Sequence, residues 1–367
     1  MIPQEITWKF RLDNERRVGA RRPAVSGGLV YVAFFYDKRD FSESKLFAFD
    51  VESGAQKWAY TIDHVANEPV VADGVVYWSS FEGSIHALDG DGRLLWKAPG
   101  TDSNIGAPVL GGDDRLFVAE IAGGASNTWC LDRKTGATLW RFEHGGHTYR
   151  LHHSAGRLFH TAVAHTSMDE PTRCSLYCLS AANGSVLWSV SDREYLFNPI
   201  VLGDKVFVCS HHSARMYSID SGKLLAEAPL EREKTTLHLA SCSEQHRLIV
   251  WGDNYGQDAD SVSAVEVSAA RRLFGGEKPS LSRTWKVEEA RGLCEAPIAL
   301  SRERIMYLTH DGVLCVIASA TGERLSETRL KTKPATFGGL SLVGDQLFVA
   351  HGREVFSFML DGAETRS

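Results

Sequence analysis

The chain has 367 residues, 43% hydrophobic and 23% charged, which is ordinary for a globular protein and enough to bury a large core. Its formal net charge of −6 excludes a general nucleic-acid or anionic-membrane binder, since both need a basic surface. No apolar run is long enough for a transmembrane helix, and the opening MIPQEITWKFRLDNERR has no apolar core of signal-peptide length, so it reads as part of the fold.

In chain order, the first element is Ile6–Phe10 (ITWKF), a short strand. Arg16–Arg22 (RRVGARR) follows and is the sharpest charge cluster in the sequence. Ala24–Phe35 (AVSGGLVYVAFF) then reads as two strands about a tight turn. Lys45–Tyr60 (KLFAFDVESGAQKWAY) reads as two more, with period-2 alternation up to Asp50, then a turn, then a returning strand that carries Trp58. The same phrase returns at Ser84–Ala98, Thr128–Phe142 and Ser175–Val190. Asp caps its own backbone at the turn, and Gly supplies a positive φ. Upstream strand pairs recur at Glu68–Phe81, Asn198–His211 and Ala296–His310. Later units are degenerate. Arg215–Pro229 and Gly312–Leu330 keep the turn without the Trp, and Ser268–Pro279 is an insertion before Arg283–Val287 (RTWKV).

Each unit is thus four antiparallel strands. Eight first strands begin near Pro23, Pro69, Pro108, His152, Pro199, Leu239, Pro297 and Gly339. Length alone would suggest two or three domains, but a repeat of this period overrides that prior. The reading is an all-β, eight-bladed β-propeller of four-stranded antiparallel blades, one domain over residues 1–362 with a short tail at 363–367. The last unit lacks its returning strand. The N-terminal strand, residues 5–12, is expected to complete that blade and close the ring, which removes open sheet edges. Trp8, Trp58, Trp96, Trp140, Trp188 and Trp285 occupy the repeat position and are expected to pack between blades.

The pattern Ala-x-Asp, then Gly-x-x-x-Trp, clearest in Phe49–Trp58 and Leu131–Trp140, resembles the tryptophan-docking repeat of pyrroloquinoline-quinone-type propellers across nearly the whole chain. That resemblance implies the fold. The family holds quinoprotein alcohol and glucose dehydrogenases as well as non-catalytic members, such as the eight-bladed lipoprotein of the outer-membrane barrel assembly machinery. The dehydrogenases typically carry two adjacent Cys in a vicinal disulfide. Here no two of Cys130, Cys174, Cys178, Cys209, Cys242, Cys294 and Cys315 are adjacent, and no calcium-holding Glu, Asn and Asp set is evident. No cofactor is therefore expected. Seven Cys, several inside strand patterns, read as buried reduced thiols in a cytoplasmic protein.

Propeller ligands bind where the loops between blades and the loops after each second strand gather. Aligning the second-strand ends places His211, Asp253, His310 and His351 at equivalent or adjacent positions of units five to eight, with Glu120 and His165 joining from units three and four. Imidazole with carboxylate suits a metal or an acid–base site. The loops between units add Arg16, Arg17, Arg21 and Arg22, together with His147, Tyr149, Arg150 and His153, and clustered arginines suit carboxylate or phosphate recognition. The longer loops Tyr36–Ser44 and His165–Arg173 suit partner binding. The expected function is a soluble, monomeric, non-quinone binding propeller that recognises a protein partner or an acidic ligand through one loop-rich face. The alternative is a lyase or hydrolase, with or without metal, using His211, His310, His351 and Asp253 at that face.

Overall fold

The computed structural model describes residues 3–13, 18–36, 43–81, 83–98, 104–112, 114–120, 125–148, 150–164, 173–230, 236–242, 247–253, 260–271 and 277–360. Among them every regular element is a β-strand. They form eight four-stranded antiparallel modules, the blades of a β-propeller.

The chain divides into two compact units. One holds blades 1, 2, 7 and 8. Blade 1 runs Ala24–Ser26, Leu29–Tyr36, Glu43–Asp50 and Gln56–Asp63, with Val18–Ala20 paired to its second strand. Blade 2 runs Val70–Ala72, Val75–Ser79, Ile85–Leu88 and Leu94–Ala98. Blade 7 runs Leu293–Leu300, Arg304–Thr309, Val313–Ala318 and Arg324–Arg329. Blade 8 runs Gly338–Val343, Gln346–His351 and Glu354–Leu360. Its fourth strand is Pro3–Arg11, antiparallel to Glu354–Leu360.

The other unit holds blades 3 to 6. Their strands begin at Val109–Leu110, Leu151–Ser154, Ile200–Leu202 and Thr236–Cys242, and their last strands are Thr138–Gly145, Val186–Asp192, Leu224–Pro229 and Glu277–Glu289. The described ends of the insertion in blade 6 are strand, and residues 272–276 lie outside the described residues. The third and fourth strands of that blade lengthen to Asp260–Arg271 and Glu277–Glu289, and the Ser268 and Ser280 hydroxyls meet at 2.8 Å. The Ser/Val/Ala alternation of DSVSAVEVSAAR simply continues the strand period past the length of the other blades.

Second and third strands carry the core. Leu29–Tyr36 is buried along nearly its whole length, whereas the outer strand Gln56–Asp63 is mostly exposed. Strands covered on both faces read as continuous apolar runs, which is why LVYVAFFY loses the alternation. The repeat turns form as their residues require. Asp50 Oδ1 accepts from the Ser53 N–H at 2.9 Å, Asp132 Oδ1 accepts from Thr135 N–H at 2.8 Å, and Gly54 and Gly136 follow at φ 68° and 73°. The turn hydrogen bonds hold the Asp50 carboxyl far below its ordinary range.

Within a unit, the expected interblade packing has a specific form. The Trp8 indole N–H donates to the Val51 carbonyl at 3.0 Å, Trp58 to Gly90 at 2.8 Å, Trp140 to Ala181 at 3.1 Å and Trp188 to Ile219 at 2.8 Å. Each indole lies flat over the turn glycine of the next blade. A Cβ on Gly54, Gly92, Gly184 or Gly222 would come within 2.6 Å of that ring.

Candidate functional site

Each blade has two unlike ends. One carries the tight turns just described. The other carries the connections after second strands and between blades, where the candidate residues lie.

In the unit of blades 1, 2, 7 and 8, Arg21 enters the protein interior with 5% exposure. Its Nε donates to the Ala66 carbonyl at 3.0 Å and a terminal nitrogen pairs with Glu295. The guanidinium lies 4.6 Å from the Phe35 ring centroid and 5.5 Å from those of Phe81 and Phe337. An arginine so enclosed joins blades through cation–π contacts rather than facing a ligand. Arg22 is exposed, and its Nε reaches the Leu340 carbonyl at 3.0 Å.

His310 and His351 do come together. His351 is fully buried, its Nε2 lies 3.2 Å from the His310 carbonyl and its Nδ1 3.3 Å from the Thr332 hydroxyl. Burial lowers the pKa of both imidazoles, which favours the neutral ring. Both nitrogens of His351 are engaged, so it fixes the 331–337 loop instead of presenting a reactive atom. His310 keeps a buried Nε2 without a hydrogen-bond partner. Above Thr332 opens a cleft of about 430 Å³, whose wall includes Arg11, Val18, Lys331, Lys333, Pro334 and Arg353. The sequence reading of the loop face did not single out Arg11, Lys331, Lys333 or Arg353, because their shared cleft is made by three segments far apart in the chain.

In the unit of blades 3 to 6, Glu120 is buried and accepts a hydrogen bond from Asn127 Nδ2 at 2.7 Å, so it closes its own hairpin. His147 bridges to Val163 through the backbone, and the His153 ring lies 5.4 Å from that of Phe117. Arg150 is exposed. His211 packs edge-on against Phe197 at 4.9 Å. A buried histidine pair lies here, of which only His144 falls in the loop runs that the sequence picks out. The His144 and His160 rings lie 4.8 Å apart with their planes tilted by 51°, each with one nitrogen lacking a hydrogen-bond partner. Burial lowers the pKa of His144 to about 4 and holds that of His160 well below its ordinary value. The run HGGHTYRLHH contains His144 but not its partner, because His160 comes from the adjacent second strand.

Arg16, Arg17, Tyr149 and His165 lie outside the described residues, as do most of the loops 36–44 and 165–173. The backbone of Asp253 pairs with Thr236, and its side chain lies outside the described residues.

Among the described residues no group of three or more His, Cys, Asp and Glu side chains is placed to hold a metal. Cys130, Cys174, Cys178, Cys209, Cys294 and Cys315 are free and buried, and burial pushes the thiols of Cys130, Cys174 and Cys178 up to about 12. A quinone site of the dehydrogenase kind typically has a vicinal disulfide and a carboxylate-rich calcium set. These separate thiols and scattered acids do not fit one.

Among the described residues no helix is long and apolar enough to cross a membrane. No curated protein matches the chain. Solved structures share its fold at low identity. A europium-containing methanol dehydrogenase has a TM-score of 0.73 at 14% identity, covering 97% of this chain and 93% of that one. The computationally designed Ika8 protein has 0.68 at 15%, covering 95% and 98%. BamB from Moraxella catarrhalis has 0.64 at 16%, covering 97% and 99%. The family model described as outer membrane protein assembly factor BamB matches residues 4–105, 81–254 and 129–362. With these matches together running from residue 4 to residue 362, the chain belongs to the BamB family of pyrroloquinoline-quinone-type repeat propellers.

Proposed function

We propose that this protein is a non-catalytic, monomeric binding propeller, one domain over residues 1–362, that engages a protein partner through the loop-bearing ends of its blades. The family supports a protein-binding role. The observation that carries the choice of surface is the contrast between blade ends. At one end the turns are sealed by docked indoles and Asp caps. At the other, in blades 7 and 8, the loops leave an open cleft with exposed cations. We also propose a reducing, cytoplasmic location, supported by six free and buried thiols.

A photo-crosslinking residue placed at Lys333 tests the surface against the same residue at Asp91, in a tight turn at the other end. The reading expects one discrete protein adduct from position 333 and none from position 91. Equal adducts from both, or adducts from position 91 alone, overturn it.

A further inference from the structure

The cleft beside the 331–337 loop has an unusual charge balance. Arg11 comes from the last residue of the N-terminal strand, Lys331 and Lys333 from the loop between blades 7 and 8, and Arg353 from the turn after the second strand of blade 8. The wall contains one carboxylate, Glu354, and it is already neutralised. Lys9 Nζ lies 2.9 Å from Glu354 Oε1, and the same ammonium donates to the Lys331 carbonyl at 3.3 Å and sits 4.6 Å from the Phe356 ring. Among the described residues no carboxylate pairs with Arg11, Lys331 or Lys333, and all three are exposed. Among the described residues, a protein of net charge −6 thus gathers Arg11, Lys331 and Lys333 in one concavity without a paired carboxylate.

Resting on the binding role proposed above, we infer that this cleft binds an acidic peptide segment of a partner, with two or more carboxylates carried along an extended chain. The volume of about 430 Å³ suits a short peptide stretch. The cations stand on three separate segments, which matches charge spread along a chain better than one compact dianion. Val18, Pro334 and Ala335 supply an apolar ledge for methylene groups between carboxylates. The floor is rigid. Buried His351 lies 3.3 Å from the Thr332 hydroxyl, the Ala335 N–H donates to the His310 carbonyl at 2.8 Å, and Leu330 N–H donates to Gly312 at 2.8 Å. A preformed floor lowers the ordering cost of binding.

The test is fluorescence anisotropy with labelled hexaglutamate on the full chain, with labelled hexaglutamine as reference. Hexaglutamate is expected to bind, hexaglutamine not, and the affinity to fall with added salt as exposed charges are screened. Lys331→Glu with Lys333→Glu should weaken hexaglutamate at least about tenfold, a change typical of removing several ionic contacts. Arg11→Glu alone should weaken it less. The charge-matched control, Lys57→Glu with Arg93→Glu, alters exposed side chains at the tight-turn end and should leave affinity unchanged. Equal loss in both double variants, or no binding of hexaglutamate, overturns the proposal. So does efficient competition by inorganic phosphate, which would make the ligand a compact dianion. A discrete crosslink at position 333 without hexaglutamate binding would sink the acidic-peptide assignment and leave the binding role standing. Hexaglutamate binding without a crosslink at position 333 would overturn the partner role and leave the cleft as an anion-binding site only.

Discussion

Two kinds of blade junction coexist in this protein. From blade 8 to 1, 1 to 2, 3 to 4 and 4 to 5, an indole donates to a carbonyl in the next blade's turn and covers its glycine. From blade 5 to 6 and from 7 to 8, the equivalent residues are Ala226 and Ser326. The losses are not random drift. Blade 6 has no Asp-x-x-Gly turn at that place, because its third and fourth strands are the long pair Asp260–Arg271 and Glu277–Glu289. Blade 8 takes its fourth strand from Pro3–Arg11, so no turn joins its third and fourth strands. Where the neighbour's sequence lacks the repeat's tight glycine turn, the docking tryptophan is absent too. Aliphatic clusters hold those junctions. One gathers Met216, Leu230, Leu248, Val265 and Leu281, and the other Met306, Val316, Leu330, Leu340 and Phe358.

The sharpest way to break this comparison is to remove a docked indole. Trp188 is 9% exposed and packs on Phe159. Trp188→Ala should cost about 3–5 kcal/mol, the usual range for truncating a buried aromatic. Urea unfolding followed by far-UV circular dichroism would show it as a lower midpoint at unchanged slope. A loss under about 1 kcal/mol would mean the dock is decorative.

Charge can be set against packing on blade 7. Glu289, 3% exposed, accepts from Arg291 Nε at 2.6 Å, from the Tyr307 hydroxyl at 3.0 Å and from Arg324 at 3.1 Å. The carboxyl is drawn below its ordinary range by Arg291 despite opposing burial. Glu289→Gln keeps the shape and removes the charge. It should cost about 2–3 kcal/mol, because the buried Tyr307 and two guanidiniums lose a charged acceptor. Added salt should narrow the gap between wild type and variant only slightly, since the carboxylate is buried.

Much of the architecture was legible in the sequence, and for a physical reason. Strand alternation, Asp caps and glycine turns are local, so KLFAFDVESGAQKWAY displays them within one window. The pairing of Pro3–Arg11 with the last blade was legible too, because ITWKF repeats the missing strand. The site was far less legible. Arg21 looked like a ligand contact from its neighbours Arg16, Arg17 and Arg22, but Phe35, Phe81, Phe337 and Glu295 claim it from four separate segments. His351 aligned with His310 correctly, yet alignment does not reveal that both its nitrogens face Thr332 and a carbonyl. The glycine rule was read only for its φ. The second constraint, an indole lying on the missing Cβ, needs the neighbouring blade.

Acid should weaken the unit of blades 3 to 6 through its buried histidine pair. His144 is buried with its pKa lowered to about 4, against about 6.5 in an unfolded chain. Above the unfolded value both states are neutral and the ring is silent. As pH falls below it, the unfolded chain takes up protons first, so stability drops until the folded pKa is passed. At pH 5 the loss from His144 alone is about 2 kcal/mol, and His160 adds to it in the same direction. His144→Phe with His160→Phe should flatten that part of the profile between about pH 6.5 and 4. An unchanged slope in the double variant would show that other groups set the acid sensitivity.

The smallest expected contrast separates the two duties of the turn glycine. Gly222 and Gly203 both hold positive φ, 66° and 61°. A Cβ at Gly203 would meet nothing within 4 Å, whereas one at Gly222 would lie 2.6 Å from the Trp188 ring. Gly203→Ala therefore bears only the backbone cost, about 1 kcal/mol. Gly222→Ala adds the displacement of a docked indole and should cost roughly 1–3 kcal/mol more. In a Trp188→Ala background that extra cost should vanish, leaving Gly222→Ala equal to Gly203→Ala. This double-mutant cycle isolates the indole–glycine contact from turn strain. If the excess persists without the indole, the glycine answers to the turn alone, and tryptophan loss in blades 5 and 7 needs a cause other than the missing turn.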